Sequence, residues 1–263
     1  MTTQLLIVDP QVDFCDPARG ALYVPGAEHD IARLADLLSR FGSRIDAVHV
    51  TLDTHHAFDI AHPVSWKDAA GAHPAPFTTI RAADIAAGRW RPVKPELFDR
   101  VLAYARALEA GGRYDLTIWP PHCLIGSEGH AVAQPLFDAL KAWESRGTPV
   151  DYVRKGENPL TEHYSAVKAE VPDPSDPQTQ PNTALLASLN TADIVLVAGE
   201  AASHCVANTV RDIAAAFGDQ AVQKLVLLTD ATSPVAGFEG LEKEFVQDLT
   251  ALGMRFGTTT DWK

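Results

Sequence analysis

Three side chains able to attack a small electrophile together stand just beyond short apolar runs. Asp9 follows Leu5–Val8, Lys155 follows Val150–Val153, and Cys205 lies across a short turn from Ile194–Ala198. A cysteine between a strand and a helix sits near the first amides of that helix, where the dipole favours thiolate. A carboxylate beside it can take the thiol proton and later pass it to a leaving group. An ammonium beside both lowers the thiol pKa and holds the pair. Each residue alone has a plainer explanation: a buried small hydrophobe, a solvated strand end, a surface lysine. Their convergence is what points to chemistry.

A second group surrounds "TLDTHH". In an extended chain Asp53 and His55 face one way and His56 the other. His62 comes seven residues after His55, and His122 follows the remote Leu116–Trp119 run. One carboxylate with several imidazoles suits a divalent transition ion. The types fit zinc, iron or manganese, and the spacing is less specific than paired CxxC motifs.

These residues need a scaffold that gathers strand ends. Leu5–Val8, Ile45–Leu52, Leu116–Trp119, Val150–Val153, Ile194–Ala198 and Leu225–Leu228 read as strands buried on both faces. Between them run helical stripes: Ile31, Leu34, Leu37, Leu38 and Phe41; Val206, Val210, Ile213 and Phe217; and Leu241, Phe245, Leu249 and Leu252. A helix is also expected from Pro95 to Glu109. The alternation predicts an α/β fold, a three-layer αβα sandwich with a mainly parallel, Rossmann-like central sheet. In such sheets ligands bind beyond the carboxyl ends of the strands. The 263 residues suit a single domain over 1–263, interrupted by an insertion at about 63–113. The proline-rich 171–182 stretch reads as an extended loop.

The net charge of −12 argues against nucleic-acid and anionic-membrane partners. Three cysteines and no CxxC motif fit a reducing compartment and argue against a thiol redox protein. With no signal-peptide pattern and no apolar run near ~20 residues, a soluble cytoplasmic protein is expected. A homo-oligomer is compatible with the sequence.

The chain resembles the isochorismatase-like cysteine hydrolases, and within them the nicotinamidase branch. The resemblance rests on "LLIVDPQVDF", "TLDTHHAFDIAHPVSW", "WPPHCLIGSEG", "YVRKGENP" and "VAGEAASHCVANTVRDIA", five stretches in the family's order. It implies a catalytic triad of Asp9, Lys155 and Cys205. It also implies one divalent metal, zinc foremost, on Asp53, His55 and His122, with His62 as a fourth ligand. Phe14 and Trp119 would flank the substrate ring. A cis peptide is implied at Glu200–Ala201, and the amides of Ala201 and Cys205 would form the oxyanion hole. The implied reaction converts nicotinamide to nicotinate and ammonia through a thioester.

Three features depart from the family pattern. Glu200 is acidic where an aliphatic residue is usual, which places it among the expected substrate contacts. The long "DTHHAFDIAH" spacing leaves His56 and His62 both open as ligands, and the insertion adds His73. The insertion itself could be a lid over the pocket or a cover for a sheet edge. Rival readings are another small-amide or carbamoyl hydrolase, a metal-only hydrolase, and a binding protein without turnover.

Overall fold

The computed structural model describes residues 1–218 and 222–262. Six strands form one parallel sheet: β1 (Thr3–Val8), β2 (Ala47–Asp53), β3 (Asp151–Lys155), β4 (Ile194–Gly199), β5 (Leu225–Leu228) and β6 (Arg255–Gly257). Their order is β6-β5-β4-β1-β2-β3. The central strands β1 and β4 are buried along their whole length, which is why their sequences are continuous apolar runs rather than alternations. The order reverses between β1 and β4. That is the switch point where the crevice of an open α/β sheet forms.

Flanking the sheet are α1 (Ala27–Phe41), α2 (Phe98–Gly111), α3 (Leu136–Glu144), α4 (Thr183–Asn190), α5 (Cys205–Phe217) and α6 (Glu239–Ala251). Helix α1 packs against α3, and α5 packs against both α4 and α6. The α1 stripe is buried at each of its five positions, whereas α6 buries only Phe245 and Leu249 of the four expected. Leu252 lies at the C-cap of α6, past its last turn, and is exposed. No helix among the described residues is long and apolar enough to cross a membrane.

Two strand expectations are corrected. The Leu116–Trp119 run does not enter the main sheet; Leu116–Thr117 pairs antiparallel with Thr79–Ile80. Pro120 and Pro121 follow at once, and residues without an N–H cannot extend a ladder. Conversely, β6 escapes a search for apolar runs because it is a three-residue edge strand with exposed Arg255 and Phe256.

Residues 63–113 are built onto this frame. They hold α2, a short helix over Ala82–Ala86 packed on it, and a two-residue ribbon pairing Trp66–Lys67 with Arg91–Pro92. Trp66 is fully buried and its indole N–H donates to the Ile60 carbonyl at 2.6 Å. The insertion also touches Trp119, against which Phe77 packs edge-on at 5.8 Å.

Gly199 ends β4 with φ +104°, and a Cβ there would lie 2.1 Å from the Val8 carbonyl oxygen. Neither problem can be relieved by a side-chain rotation, because the obstacle is backbone. Gly199→Ala is expected to cost about 3–5 kcal/mol, read as a fall in the denaturant midpoint at unchanged m-value.

Candidate active site

The β2–β3 register makes Asp53 and Lys155 direct partners across the ladder. Their side chains therefore leave the sheet edge together, and the Lys155 ammonium donates to Asp53 Oδ1 at 2.9 Å. The same nitrogen lies 2.9 Å from Asp9 Oδ2, 3.0 Å from the His163 carbonyl and 3.5 Å from Cys205 Sγ. One ammonium thus joins two carboxylates and a thiol that lie far apart in sequence. Lys155 and Asp9 are almost fully buried, so their charges are poorly screened.

Asp9 is held by Thr51, whose hydroxyl accepts the Asp9 amide at 3.0 Å and donates to Asp9 Oδ1. Burial raises the Asp9 pKa, against the pull of Lys155. Burial likewise pushes the Cys205 thiol up, again opposed by Lys155. Lys155, although buried, is held charged by Asp53 and Asp9. A thiol, a carboxyl group and an ammonium are thereby gathered at one buried point. Cys205 opens α5, and the Ala201 carbonyl accepts the amides of His204 and Val206 at 3.0 and 3.1 Å. That cap leaves the Cys205 sulfur at the positive end of the helix. The Glu200–Ala201 peptide is cis.

Asp53, His55 and His122 form a second constellation, their donor atoms all within 4.8 Å of one another. Asp53 Oδ2 lies 3.0 Å from His55 Nε2 and 3.4 Å from His122 Nε2. His55 Nδ1 faces Asp59 Oδ2 at 3.0 Å, and His122 Nδ1 faces the Pro120 carbonyl at 2.9 Å. With each Nδ1 facing an acceptor, both Nε2 atoms are turned into the cluster, the orientation a metal-binding imidazole needs once its Nε2 is deprotonated. Burial opposes a charge on His55, but Asp53 and Asp59 outweigh it and raise its pKa.

The backbone explains how remote segments meet here. The Gln11 side chain pairs with both backbone groups of Asp53, at 2.8 and 2.7 Å. The His55 amide donates to the Cys123 carbonyl, and the Ile125 amide to the His55 carbonyl. Asp13 accepts the Cys123 amide at 2.6 Å, fixing a residue whose φ is +47°. Gly156, next to Lys155, has φ +86°, and a Cβ there would lie 3.0 Å from Asp53 Oδ1.

Not every expected residue joins these groups. His62 is fully buried, with no partner for its Nε2 among the described residues; its ring is 5.3 Å from that of His55 and 5.6 Å from that of His122, yet it is outside the close donor set. Its Nδ1 turns to the Ala57 carbonyl, and burial lowers its pKa to about 4, keeping it neutral. His56 is exposed, past the end of β2, and does not join the cluster. His73 binds the Trp66 carbonyl at 2.6 Å instead. Glu200 does not line the cavity. Its carboxyl is fully buried and accepts the Ser233 amide.

The cavity above Cys205 has Phe14, Trp119 and Tyr164 as apolar walls, with Asp53 and His122 at one end and Ala201 near the sulfur. Phe14 meets His122 edge-on at 5.4 Å, and the Trp119 N–H donates to the Tyr164 hydroxyl at 3.0 Å. Its free volume, about 30 Å³, has room for one or two waters. A larger cleft of about 500 Å³ lies between β3 and residues 177–185, but Cys205 is not on its wall.

Three wall residues carry no sequence signal. Glu162 presents a buried carboxyl whose Oε2 has no partner among the described residues, and burial pushes its pKa up to about 8. Tyr164 and His204 complete an aromatic cage with Tyr114, which stacks on His204 at 5.1 Å. All three sit on irregular segments or caps, where no periodicity marks a buried position.

A parallel sheet with cysteine, aspartate and lysine gathered at its switch point is similar to the arrangement expected of an isochorismatase-like cysteine hydrolase. The chain is similar to nicotinamidases. It is 28% identical to the nicotinamidase of Escherichia coli K12 across 98% of this chain and 96% of that protein. The yeast nicotinamidase bound to the inhibitor nicotinaldehyde superposes with a TM-score of 0.68 at 22% identity, covering 98% of this chain and 100% of that one. A Pyrococcus horikoshii pyrazinamidase in complex with zinc gives 0.60 at 18% identity, covering 98% and 99%. No protein-family model matches the chain.

Proposed function

We propose that this protein hydrolyses nicotinamide to nicotinate and ammonia, with Cys205 as nucleophile, Asp9 as proton carrier and Lys155 as the charge that organises both. The observation that carries the proposal is the Lys155 ammonium, within 2.9 Å of Asp9 and 3.5 Å of Cys205 at the foot of an aromatic cavity. Asp9 takes the thiol proton as the sulfur attacks the amide carbon. The Ala201 and Cys205 amides receive the oxyanion. Asp9 then gives its proton to the departing nitrogen, which leaves as ammonia, and a thioester remains on Cys205. Asp9 next deprotonates a water that attacks the thioester. Nicotinate departs and the thiol regains its proton.

The Asp53, His55 and His122 donors fit a divalent ion, zinc in the first place, and residue types alone leave iron and manganese open. When bound, the ion supplies a Lewis-acidic seat for the pyridine nitrogen. His62, whose buried Nε2 has no partner among the described residues, is our candidate for a fourth ligand, supported by its ring lying 5.3 Å from that of His55. Phe14 and Trp119 hold the ring plane between them, which orients the carboxamide toward the sulfur.

An ammonia-release assay on nicotinamide tests this. Turnover should be measurable, fall at least ~10²-fold on exhaustive chelation, and return on adding zinc. Turnover of a different small amide with none on nicotinamide would move the assignment to another substrate. Activity indifferent to chelation would remove the ion from substrate binding.

A further inference from the structure

The carboxyl of Glu200 has no place in the reaction above, although it adjoins the Ala201 amide. It is completely buried, and its Oε2 accepts the Ser233 amide at 3.2 Å. Ser233 Oγ in turn donates to Asp30 Oδ2 at 2.6 Å, so one serine links two carboxyl groups. The flanking bonds form a strap between residues 231–235 and 199–203. The Gly199 amide donates to the Ala231 carbonyl at 2.9 Å and Thr232 Oγ1 to the Gly199 carbonyl at 2.6 Å. The Ala202 amide donates to the Ser233 carbonyl at 2.8 Å and the Val235 amide to Ser203 Oγ at 3.0 Å. The Glu200 amide is fixed from the other side by the Val8 carbonyl at 2.7 Å. Among the described residues the Ala201 amide donates to no protein group, and Ala201 is on the cavity wall. That amide is free for a ligand and is held in place by its neighbours.

We infer that Glu200 is a positioning residue for the proposed reaction: its carboxyl, through the Ser233 amide, ties residues 231–235 to the Ala201 peptide and so fixes the amide that meets the oxyanion. The inference rests on the hydrolase reading given above. Its electrostatics require a neutral Glu200. The charged and titratable groups that act on it are Asp30 on α1 and Asp9 at the end of β1; the Cys15 thiol feels its charge, and Arg33 and Asp230 act on Asp30, as Glu28 does on Cys15. Arg33 is engaged by Asp30 Oδ1 at 3.2 Å and by the Asp230 carbonyl at 3.0 Å. Burial, reinforced by Asp30, raises the Glu200 pKa well above the usual carboxylate range. A charged Glu200 would repel Asp30 and loosen the strap, so kcat should fall on the alkaline side as this group ionises.

Steady-state kinetics against pH for wild type, Glu200→Gln and Glu200→Leu test the role. Glutamine keeps an acceptor for the Ser233 amide and cannot ionise. Its kcat should stay within about threefold of wild type, with the alkaline fall moved to higher pH. Leucine leaves the Ser233 amide unpaired. Its kcat should drop about 10–10²-fold with KM changed less than about threefold, the signature of a lost transition-state contact. A leucine variant with wild-type kcat, or one that loses only KM, overturns the inference. Should that variant not fold, the glutamine profile decides, and an alkaline limb unchanged from wild type overturns it. A wild type that releases no ammonia overturns the hydrolase reading and this role with it, whereas an active wild type with an indifferent Glu200 overturns the role alone.

Discussion

Cys205→Ala is expected to abolish amide hydrolysis under the proposed mechanism: turnover should fall by at least ~10³-fold while the protein folds and still binds nicotinate. The size follows from what the sulfur alone supplies. No other thiol can replace it, because Cys205 alone among the three cysteines lines the cavity and lies 3.5 Å from the Lys155 ammonium, whereas Cys15 and Cys123 are buried away from the cavity wall. Removing a single oxyanion donor typically costs ~10²–10³ in turnover, and losing the nucleophile costs at least as much. Binding should survive, because the aromatic walls and the Asp53, His55 and His122 cluster do not depend on the sulfur. Cys205→Ser should fare little better. A hydroxyl is far less acidic than a thiol, and the Asp9 carboxylate is too weak a base to ionise it. Single-turnover ammonia release and mass spectrometry of acid-quenched enzyme measure both halves. The wild type should show an added nicotinoyl group and the alanine variant none. Alanine turnover above about a tenth of wild type would mean that water at the histidine cluster performs the hydrolysis.

Residues that end strands were legible in sequence because a strand end is a local feature. Asp9, Asp53 and Lys155 could be placed at one sheet edge from the apolar runs before them, and Cys205 from the turn before its helix. His122 was named for a partly wrong reason. It follows no strand of the main sheet but is carried to His55 by the Cys123 and Ile125 backbone bonds and by Asp13. Such long-range pairings leave no periodic trace. Glu162 and His204 were missed for the same cause, since a buried polar residue on a loop looks like a solvated one until its neighbours are known. Glu200 shows the opposite error. Its unusual type drew attention to the substrate, whereas its side chain faces Ser233 and Asp30. Adjacency along the chain does not give direction, and at a turn after a strand the next side chain can point into the core.

Lys155→Met should damage activity and stability together, because one ammonium neutralises two buried carboxylates. Methionine fills the space of the side chain but leaves Asp9 and Asp53 without the cation that lies 2.9 Å from each. Breaking a buried pair by removing one partner costs about 3–5 kcal/mol. The chain can reduce that cost by protonating Asp9, whose pKa burial already raises even with Lys155 present. A protonated Asp9 cannot accept the thiol proton, so turnover near neutral pH should fall at least ~10³-fold. The sign of the pH dependence follows from the same proton. In the variant, folded Asp9 binds its proton more tightly than unfolded Asp9, so lowering the pH through the folded pKa stabilises the native state. The stability gap to wild type should therefore be widest at about pH 8 and shrink toward pH 5, measured by urea unfolding at each pH. A gap that widens on acidification would mean that Asp9 stays ionised without Lys155. The lysine would then not be what sets the charge of the base.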